Sequence, residues 1–157
     1  MFREPTENDG SKMYTLVKKT KVLDLNSPYS YLMWAKYFNK TSIIAEIDDE
    51  LVGFISGFIQ PHSPHTLFVW QVAVDKSQRG KGLATNLLVN LLKQLEDKNI
   101  HYLEATVTPS NLPSRNLFTG LANKLETNCK VKECFSAEQF PDSTHEPEFT
   151  YRIGPLK

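Results

Sequence analysis

The stretch from residue 67 to residue 95 constrains the fold more than any other part of the chain. Leu67–Val74 is almost wholly apolar and predicts a buried strand. A glycine-rich turn, Arg79-Gly80-Lys81-Gly82-Leu83-Ala84, follows it. Beyond the turn, leucine recurs every four residues, as in an amphipathic helix, at Leu83, Leu87, Leu91 and Leu95. A strand, a tight turn and a helix in this order predict an α/β fold.

The glycine-rich turn has the composition of an anion-binding site. Gly80 and Gly82 lack the Cβ atoms that would block a close approach, and the helix presents free N–H groups and the positive end of its dipole. Arg79 and Lys81 add positive charge. We therefore predict a pyrophosphate-binding segment made of Arg79, Gly80, Lys81, Gly82, Ala84 and Thr85. The alternative is an ordinary exposed loop with solvated charges.

Length and charge limit the remaining possibilities. The 157 residues suit one domain, residues 1–157, and 18 Lys and Arg balance 18 Asp and Glu. This balance provides no broad basic surface for nucleic acid, and no apolar run reaches the length of a membrane span. The first residues lack the pattern of a signal peptide. We expect a cytoplasmic protein that binds neither nucleic acid nor membrane, with Cys129 and Cys134 reduced.

Hydrophobic periodicity and capping residues predict the order β-α-α-β-β-β-α-β-α-β-β. Phe2-Arg3 ends the first strand, Asn8 or Asp9 caps the first helix, and Ser27-Pro28 begins the second. A last helix is predicted at 114–125. The other strands are predicted at 41–47, 51–59, 67–74, 101–108, 128–135 and 149–153, with Asp48-Asp49-Glu50 as a hairpin turn. This mixture predicts a single mixed sheet with helices on both faces.

Arg79, Gly82 and Ala84 match the pattern Arg/Gln-x-x-Gly-x-Gly/Ala, the acetyl-CoA signature of the GCN5-related N-acetyltransferases. The element order, the acidic hairpin and the segment from Asn111 agree with it. The chain resembles this family. The resemblance implies the family's fold, with a splay between the two central strands, acetyl-CoA as cosubstrate and a homodimer. His62, His65 and His101 lack zinc-ligand spacing, so no metal is expected.

The resemblance extends to four longer strings, residues 23–31, 66–74, 103–111 and 151–155. These strings are similar to one branch of that family, the L-2,4-diaminobutyrate acetyltransferases of ectoine biosynthesis. The resemblance implies acetylation of the side-chain (N4) amine, in osmoprotection. Two alternatives stay open: an acetyltransferase for another small amine or polyamine, and a non-catalytic acetyl-CoA-binding module.

The resemblance also implies cosubstrate contacts outside the turn. The backbone of Val72, Ala73 and Val74 would pair with the pantetheine arm, and Asn111 and Arg115 would lie on the CoA side; Asn111 could equally cap a helix. Many family members have a tyrosine seven residues after this asparagine, as an acid for the departing thiolate. Here the residue is Phe118, which has no proton to donate.

The candidate substrate residues lie in three segments. Glu104 and Thr106 alternate with apolar residues, so Glu104 is expected to be partly buried and to need a partner, such as a substrate ammonium group; it is a candidate base, or else structural. By resemblance, Trp70 lines the diaminobutyrate pocket, although a core aromatic is the alternative. Asp24 and Tyr29 begin the second helix, where capping and surface roles are the alternatives.

His145 lies in a loop, residues 135–148, with four acidic residues and no Lys or Arg. Such a loop would attract a substrate with two amines. His145 could accept the proton of the amine, or bind the substrate carboxylate when charged. The alternative is a solvated acidic loop.

Overall fold

The computed structural model describes residues 1–142 and 144–157. Within these residues the helices are α1 Gly10–Thr20, α2 Pro28–Tyr37, α3 Leu83–Gln94 and α4 Leu112–Lys124. The strands are β1 Phe2–Arg3, β2 Ile43–Ile47, β3 Glu50–Gln60, β4 Ser63–Val74, β5 Tyr102–Val107, β6 Asn128–Phe135 and β7 Glu148–Gly154. The order of helices and strands is the predicted one.

The strands form a mixed sheet in the order β1-β2-β3-β4-β5-β7-β6. β4 and β5 run parallel, whereas β1 and β2, β2 and β3, β5 and β7, and β6 and β7 pair in antiparallel fashion. The register of β4 with β5 runs from Thr66↔Tyr102 to Val69↔Ala105, although β4 continues to Val74 and β5 to Val107. The predicted α/β fold class, with its splay between central strands, is confirmed.

The chain divides into two compact units, which we describe separately. The first comprises Met1–Phe58 and Trp70–Lys98. In it, the apolar stripe of α1 is buried as predicted, together with the inward residues of α3. These buried residues are Met13, Leu16, Val17, Leu87, Leu88 and Leu91. The periodicity that predicted both helices is therefore also the pattern of their burial.

Helices α1 and α2 differ at their N-termini: a side chain caps α2 but not α1. Ser27 caps α2 as predicted, since its Oγ accepts a hydrogen bond from the Ser30 amide at 3.2 Å, and Pro28 begins the helix. Asp9 occupies the position before α1, but its carboxylate accepts hydrogen bonds from Arg3 and Thr6 instead. Burial would raise the pKa of Asp9, but the Arg3 and Thr6 hydrogen bonds hold it below its usual range.

The second unit comprises Ile59–Val69 and Asn99–Lys157. Along β5, buried residues alternate with half-buried polar ones, as the sequence predicts. Buried side chains from β5, α4 and β7 make its core: Leu103, Ala105, Val107, Phe118, Leu121, Ala122, Tyr151 and Ile153. One face of β5 therefore packs into the core, and the opposite face carries the polar residues Glu104 and Thr106.

Several predicted boundaries are wrong by one to four residues. The hairpin turn is Asp48 and Asp49 alone, both with positive φ, and Glu50 already belongs to β3. Helix α4 begins two residues early, at Leu112, because Asn111 caps it with an Oδ1 that accepts from the Ser114 amide. β2 begins only at Ile43, after a 3₁₀ turn, and β4 begins at Ser63.

Both cysteines, Cys129 and Cys134, are free thiols, in agreement with the expectation. Among the described helices, none has the length and hydropathy needed to cross a bilayer.

Candidate active site

The glycine turn adopts a conformation that glycine takes more readily than residues with a Cβ atom. Gly80 and Gly82 have φ values of 75° and 76°, in the left-handed region. A Cβ built on either residue would meet nothing within 4 Å, so the space above the turn is open. Arg79 and Lys81 are exposed beside it. The turn therefore favours glycine at both positions and is accessible to a ligand.

Helix α3 begins directly after this turn without a capping side chain from any described residue. Its N-cap is Gly82, whereas Ser27 and Asn111 cap α2 and α4 with side-chain oxygens. The first amides of an uncapped helix remain available to an anion, and the helix dipole favours negative charge there. Ala84 and Thr85, both half-buried, belong to this first turn. The geometry suits the pyrophosphate that the sequence predicts.

Asp75 anchors the chain just before the glycine turn. Its Oδ2 accepts hydrogen bonds from the Ser77 hydroxyl at 2.6 Å and the Ser77 amide at 3.1 Å, and its Oδ1 pairs with Lys19 Nζ at 3.2 Å. The backbone amide of Asp75 donates to Val52 at 2.7 Å. The two Ser77 bonds and Lys19 lower the pKa of Asp75 to about 2. The turn is thus attached to an ionised, well-bonded residue.

The predicted pantetheine segment ends β4. Ala73 is buried and packs inward, with its carbonyl oxygen close to Gly53, while Val72 and Val74 are half-buried on the other face. The pairing of their backbone groups with the pantetheine arm stays a prediction.

Trp70 lies on the same face of β4 as Val72 and is 52% exposed, so its alternative role as a core aromatic is wrong. Its ring stacks on that of Trp34 from α2, with centroids 6.0 Å apart and planes 25° apart. Trp34 also contacts Phe38 and Phe58. Trp70 therefore presents an accessible ring, which packs on its other side against the ring of Trp34.

Gln71 and Tyr31 fix the segment that carries Asp24. The Tyr31 hydroxyl donates to Gln71 Oε1 at 3.0 Å, and Gln71 Nε2 donates to the backbone carbonyl of Asp24 at 2.8 Å. Asp24 and Tyr29 are both exposed. Since Ser27 is the cap of α2, the alternative of Asp24 as its cap is wrong. Asp24, Tyr29 and Trp70 all lie in the first unit, and their part in binding stays a prediction.

In the second unit, Glu104 already has two partners within the chain. Gln60 Nε2 donates to Glu104 Oε1 at 2.7 Å, and Arg152 Nη1 donates to Glu104 Oε2. The guanidinium carbon of Arg152 lies 3.7 Å from the centroid of the Tyr102 ring. The sequence predicted a half-buried carboxylate that needs a partner, but not these residues. Thr106, next on this face, is half-buried.

Asn111 and Arg115 lie at the start of α4. Asn111 caps the helix, as its alternative role required, and Arg115 donates from Nη1 to the carbonyl of Pro109 at 3.0 Å. Ser110 donates to both carboxylate oxygens of Glu146, from its amide at 3.1 Å and from its hydroxyl at 2.5 Å. These two hydrogen bonds attach the acidic loop to the turn before α4.

His145 stacks on Phe140, with ring centroids 3.7 Å apart and planes 9° apart. Its Nδ1 lies 2.5 Å from the Glu146 carbonyl oxygen, and its Nε2 lies 3.9 Å from a carboxylate oxygen of Glu148. The imidazole is therefore held in one orientation, and half-buried, although its role stays a prediction. The described residues contain no group of three His, Cys, Asp or Glu arranged to hold a metal ion.

The residues that sequence reasoning missed are Trp34, Gln60 and Arg152. A signal for Arg152 exists, since it alternates with the apolar Tyr151 and Ile153 and so lies on the polar face of its strand. Its pairing with Glu104 requires the register of β5 with β7, which no local pattern provides.

Fold and turn together define a class of protein. A model of the acetyltransferase (GNAT) family matches residues 11–121, which include the glycine turn, α3 and β5. The chain belongs to the acetyltransferase (GNAT) family.

Two individual relatives have names that specify a substrate. The L-2,4-diaminobutyric acid acetyltransferase of Virgibacillus pantothenticus is 52% identical over 153 residues, which cover 98% of this chain and 96% of the relative. The protein of the same name from Marinococcus halophilus is 53% identical over 156 residues, covering 99% and 90%.

Solved structures agree with this similarity. Diaminobutyrate acetyltransferase EctA from Paenibacillus lautus, in complex with its substrate L-2,4-diaminobutyric acid and coenzyme A, matches with a TM-score of 0.93 and 45% identity, covering 99% of this chain and 94% of that chain. Ard1 from Thermoplasma volcanium matches with a TM-score of 0.77 at 17% identity, over 100% of this chain and 98% of that chain, which is a likeness of fold alone.

Proposed function

We propose that this protein transfers the acetyl group of acetyl-CoA to the N4 amine of L-2,4-diaminobutyrate, giving N4-acetyl-L-2,4-diaminobutyrate and CoA. The observation that carries the proposal is 52% identity over nearly the full length of both chains to a relative named for this substrate. We further propose a role in ectoine biosynthesis, a cytoplasmic location and a homodimer.

The cosubstrate would be held mainly by backbone groups. The turn of Gly80 and Gly82 and the uncapped start of α3 would take the pyrophosphate, with Arg79 and Lys81 adding charge. The ends of β4, at Val72–Val74, would pair with the pantetheine arm. Asn111 and Arg115 would lie on the CoA side. When bound, acetyl-CoA supplies the thioester whose acetyl group is transferred.

The reaction forms a carbon–nitrogen bond, breaks a carbon–sulfur bond, and moves one proton from the amine and another to the departing sulfur. An amine with a pKa near 10 is neutral in roughly one molecule in a thousand at neutral pH, so the site must favour the neutral form. Glu104 and His145 are the candidate groups for this task. Phe118 has no proton to give the sulfur, and its ring is buried.

The test is thiol release from acetyl-CoA with a panel of amines: L-2,4-diaminobutyrate, ornithine, lysine, putrescine and spermidine. We expect turnover of diaminobutyrate, with the acetyl group located on N4 by NMR. Turnover of a different amine alone would keep the acetyltransferase and overturn the substrate. Binding of acetyl-CoA without turnover of any amine would identify a binding module instead.

A further inference from the structure

Glu104 and Arg152 lie directly opposite each other on β5 and β7 and form an ion pair. Because Gln60 binds the other carboxylate oxygen, both oxygens of Glu104 have a partner and the group has one orientation. Glu104 is the more buried of the two, with 16% of its side chain exposed against 37% for Arg152. Glu104, the inner residue of the pair, is held by Gln60, and Arg152, the outer residue, is accessible to a ligand.

The guanidinium of Arg152 keeps donors in reserve. It lies over the Tyr102 ring, which sets its plane, and within the described residues its hydrogen bonds to other side chains use Nη1 alone. A guanidinium has five N–H donors in a planar fork that matches a carboxylate. The remaining donors of Arg152 can therefore bind a second carboxylate without loss of the bond to Glu104.

The next strand adds positive charge to the same row of the sheet. Lys130 of β6 lies opposite Arg152 and is exposed. One carboxylate thus stands beside two cations across three neighbouring strands. The head group of an α-amino acid has the complementary arrangement, an ammonium and a carboxylate on a single carbon atom.

We infer that Glu104 and Arg152 together bind the α-amino-acid head group of the substrate, with Glu104 on the α-ammonium and Arg152 on the α-carboxylate. The inference rests on the proposed function. It places the substrate carboxylate on Arg152, where the sequence had offered only His145 as a candidate, and it gives a physical reason for N4 selectivity. The α-amine is held as an ammonium by Glu104, and the side-chain amine remains free to react.

The experiment compares kcat/KM for L-2,4-diaminobutyrate and for 1,3-diaminopropane, the same diamine without the carboxylate. The native protein should prefer the amino acid. In Arg152→Gln the ratio of the two kcat/KM values should fall about 10- to 100-fold, mostly through KM for the amino acid, since a charge-assisted pair is lost. An unchanged ratio would overturn the inference.

Lys132→Gln is the matched control, because Lys132 is exposed on β6 opposite Thr150 and carries the same charge on the same strand face as Lys130. Its ratio should stay native; an equal fall in both variants would mean general attraction of the carboxylate and would overturn the assignment to Arg152. If Arg152→Gln does not fold, Arg152→Lys replaces it. A several-fold loss in ratio then supports the planar fork, and no loss overturns it.

Failure of this inference is separable from failure of the proposed function. Native protein that leaves diaminobutyrate unacetylated would overturn the function. Native activity on diaminobutyrate, with an unchanged ratio in the Arg152 variants, would overturn only the head-group assignment.

Discussion

Trp34 and Trp70 stack across α2 and β4, with ring centroids 6.0 Å apart, and they are the two tryptophans of the chain. The partly covered ring of Trp34 supports the exposed ring of Trp70. Each tryptophan can therefore be observed alone by replacing the other with phenylalanine, which keeps an aromatic ring in the stack.

In Trp34→Phe, all tryptophan fluorescence comes from Trp70. If Trp70 lines the substrate pocket, diaminobutyrate should change this emission with a midpoint near KM. Trp70→Phe, in which Trp34 alone emits, is the matched control and should respond less. Trp34→Ala should raise KM about two- to tenfold, since an aromatic pair contributes roughly 0.5–1.5 kcal/mol. Normal turnover without any fluorescence response in Trp34→Phe would remove Trp70 from the pocket.

Gly82→Glu should abolish acetyl-CoA binding. The substitution forces a side chain onto a left-handed residue and places a negative charge in the proposed pyrophosphate position. Calorimetric titration with CoA measures the loss. Gly120→Glu adds the same charge at an exposed helical glycine with open space around it and should bind CoA normally. Native affinity in Gly82→Glu would contradict the phosphate role of the turn.

Glu104→Gln should raise KM for diaminobutyrate about 10- to 100-fold and leave CoA affinity near native, because it removes the charge proposed to bind the α-ammonium. The amide can still accept a hydrogen bond from Arg152, which limits damage to the fold. Steady-state kinetics separates the two candidate roles of Glu104. A fall in kcat at unchanged KM would identify Glu104 as the base.

Asp75 should contribute an acid-sensitive part of the stability. Its pKa in the folded state is about 2, below the unfolded value of about 3.9, so the ionised carboxylate stabilises the fold above about pH 4. This contribution is lost as the pH falls from about 4 to about 2. Urea unfolding across that range should show a smaller pH dependence for Asp75→Asn than for the native protein.

Asp49→Asn is the control for this measurement, because Asp49 is exposed at the hairpin tip and asparagine tolerates its positive φ. Its free energy of unfolding should follow the native pH profile. Equal flattening in both variants would assign the effect to net charge rather than to the bonds of Asp75.

Local patterns predicted most of the fold. The alternation along β5, the leucine spacing of α3 and the Ser27-Pro28 start of α2 each depend on neighbours in sequence, and each is confirmed. The boundaries of helices and strands were predicted less accurately, because capping residues set them. Asn111 caps α4, so the helix begins two residues before the predicted position.

In the candidate site, too, the features set by neighbouring residues were predicted and those set by distant residues were not. The left-handed glycines of the turn follow from their own sequence, and the structure confirms an open turn before an uncapped helix. The partners of Glu104 lie 44 and 48 residues away, at Gln60 and Arg152, and depend on how strands align. From the sequence alone one can predict that a half-buried carboxylate needs a partner. The identity of that partner depends on the register between strands, which local patterns do not provide.

Under the proposed function, the glycine at the start of α3 would link the stability of this turn to the cosubstrate. Where α2 and α4 have an oxygen of their own to finish the first turn, α3 would borrow one from a phosphate. Ligand binding and the folding of this turn then become a single equilibrium, in which each tenfold excess of ligand over Kd adds about 1.4 kcal/mol of stability. Acetyl-CoA would accordingly act on this enzyme twice, as the donor of the acetyl group and as a ligand that raises its free energy of unfolding.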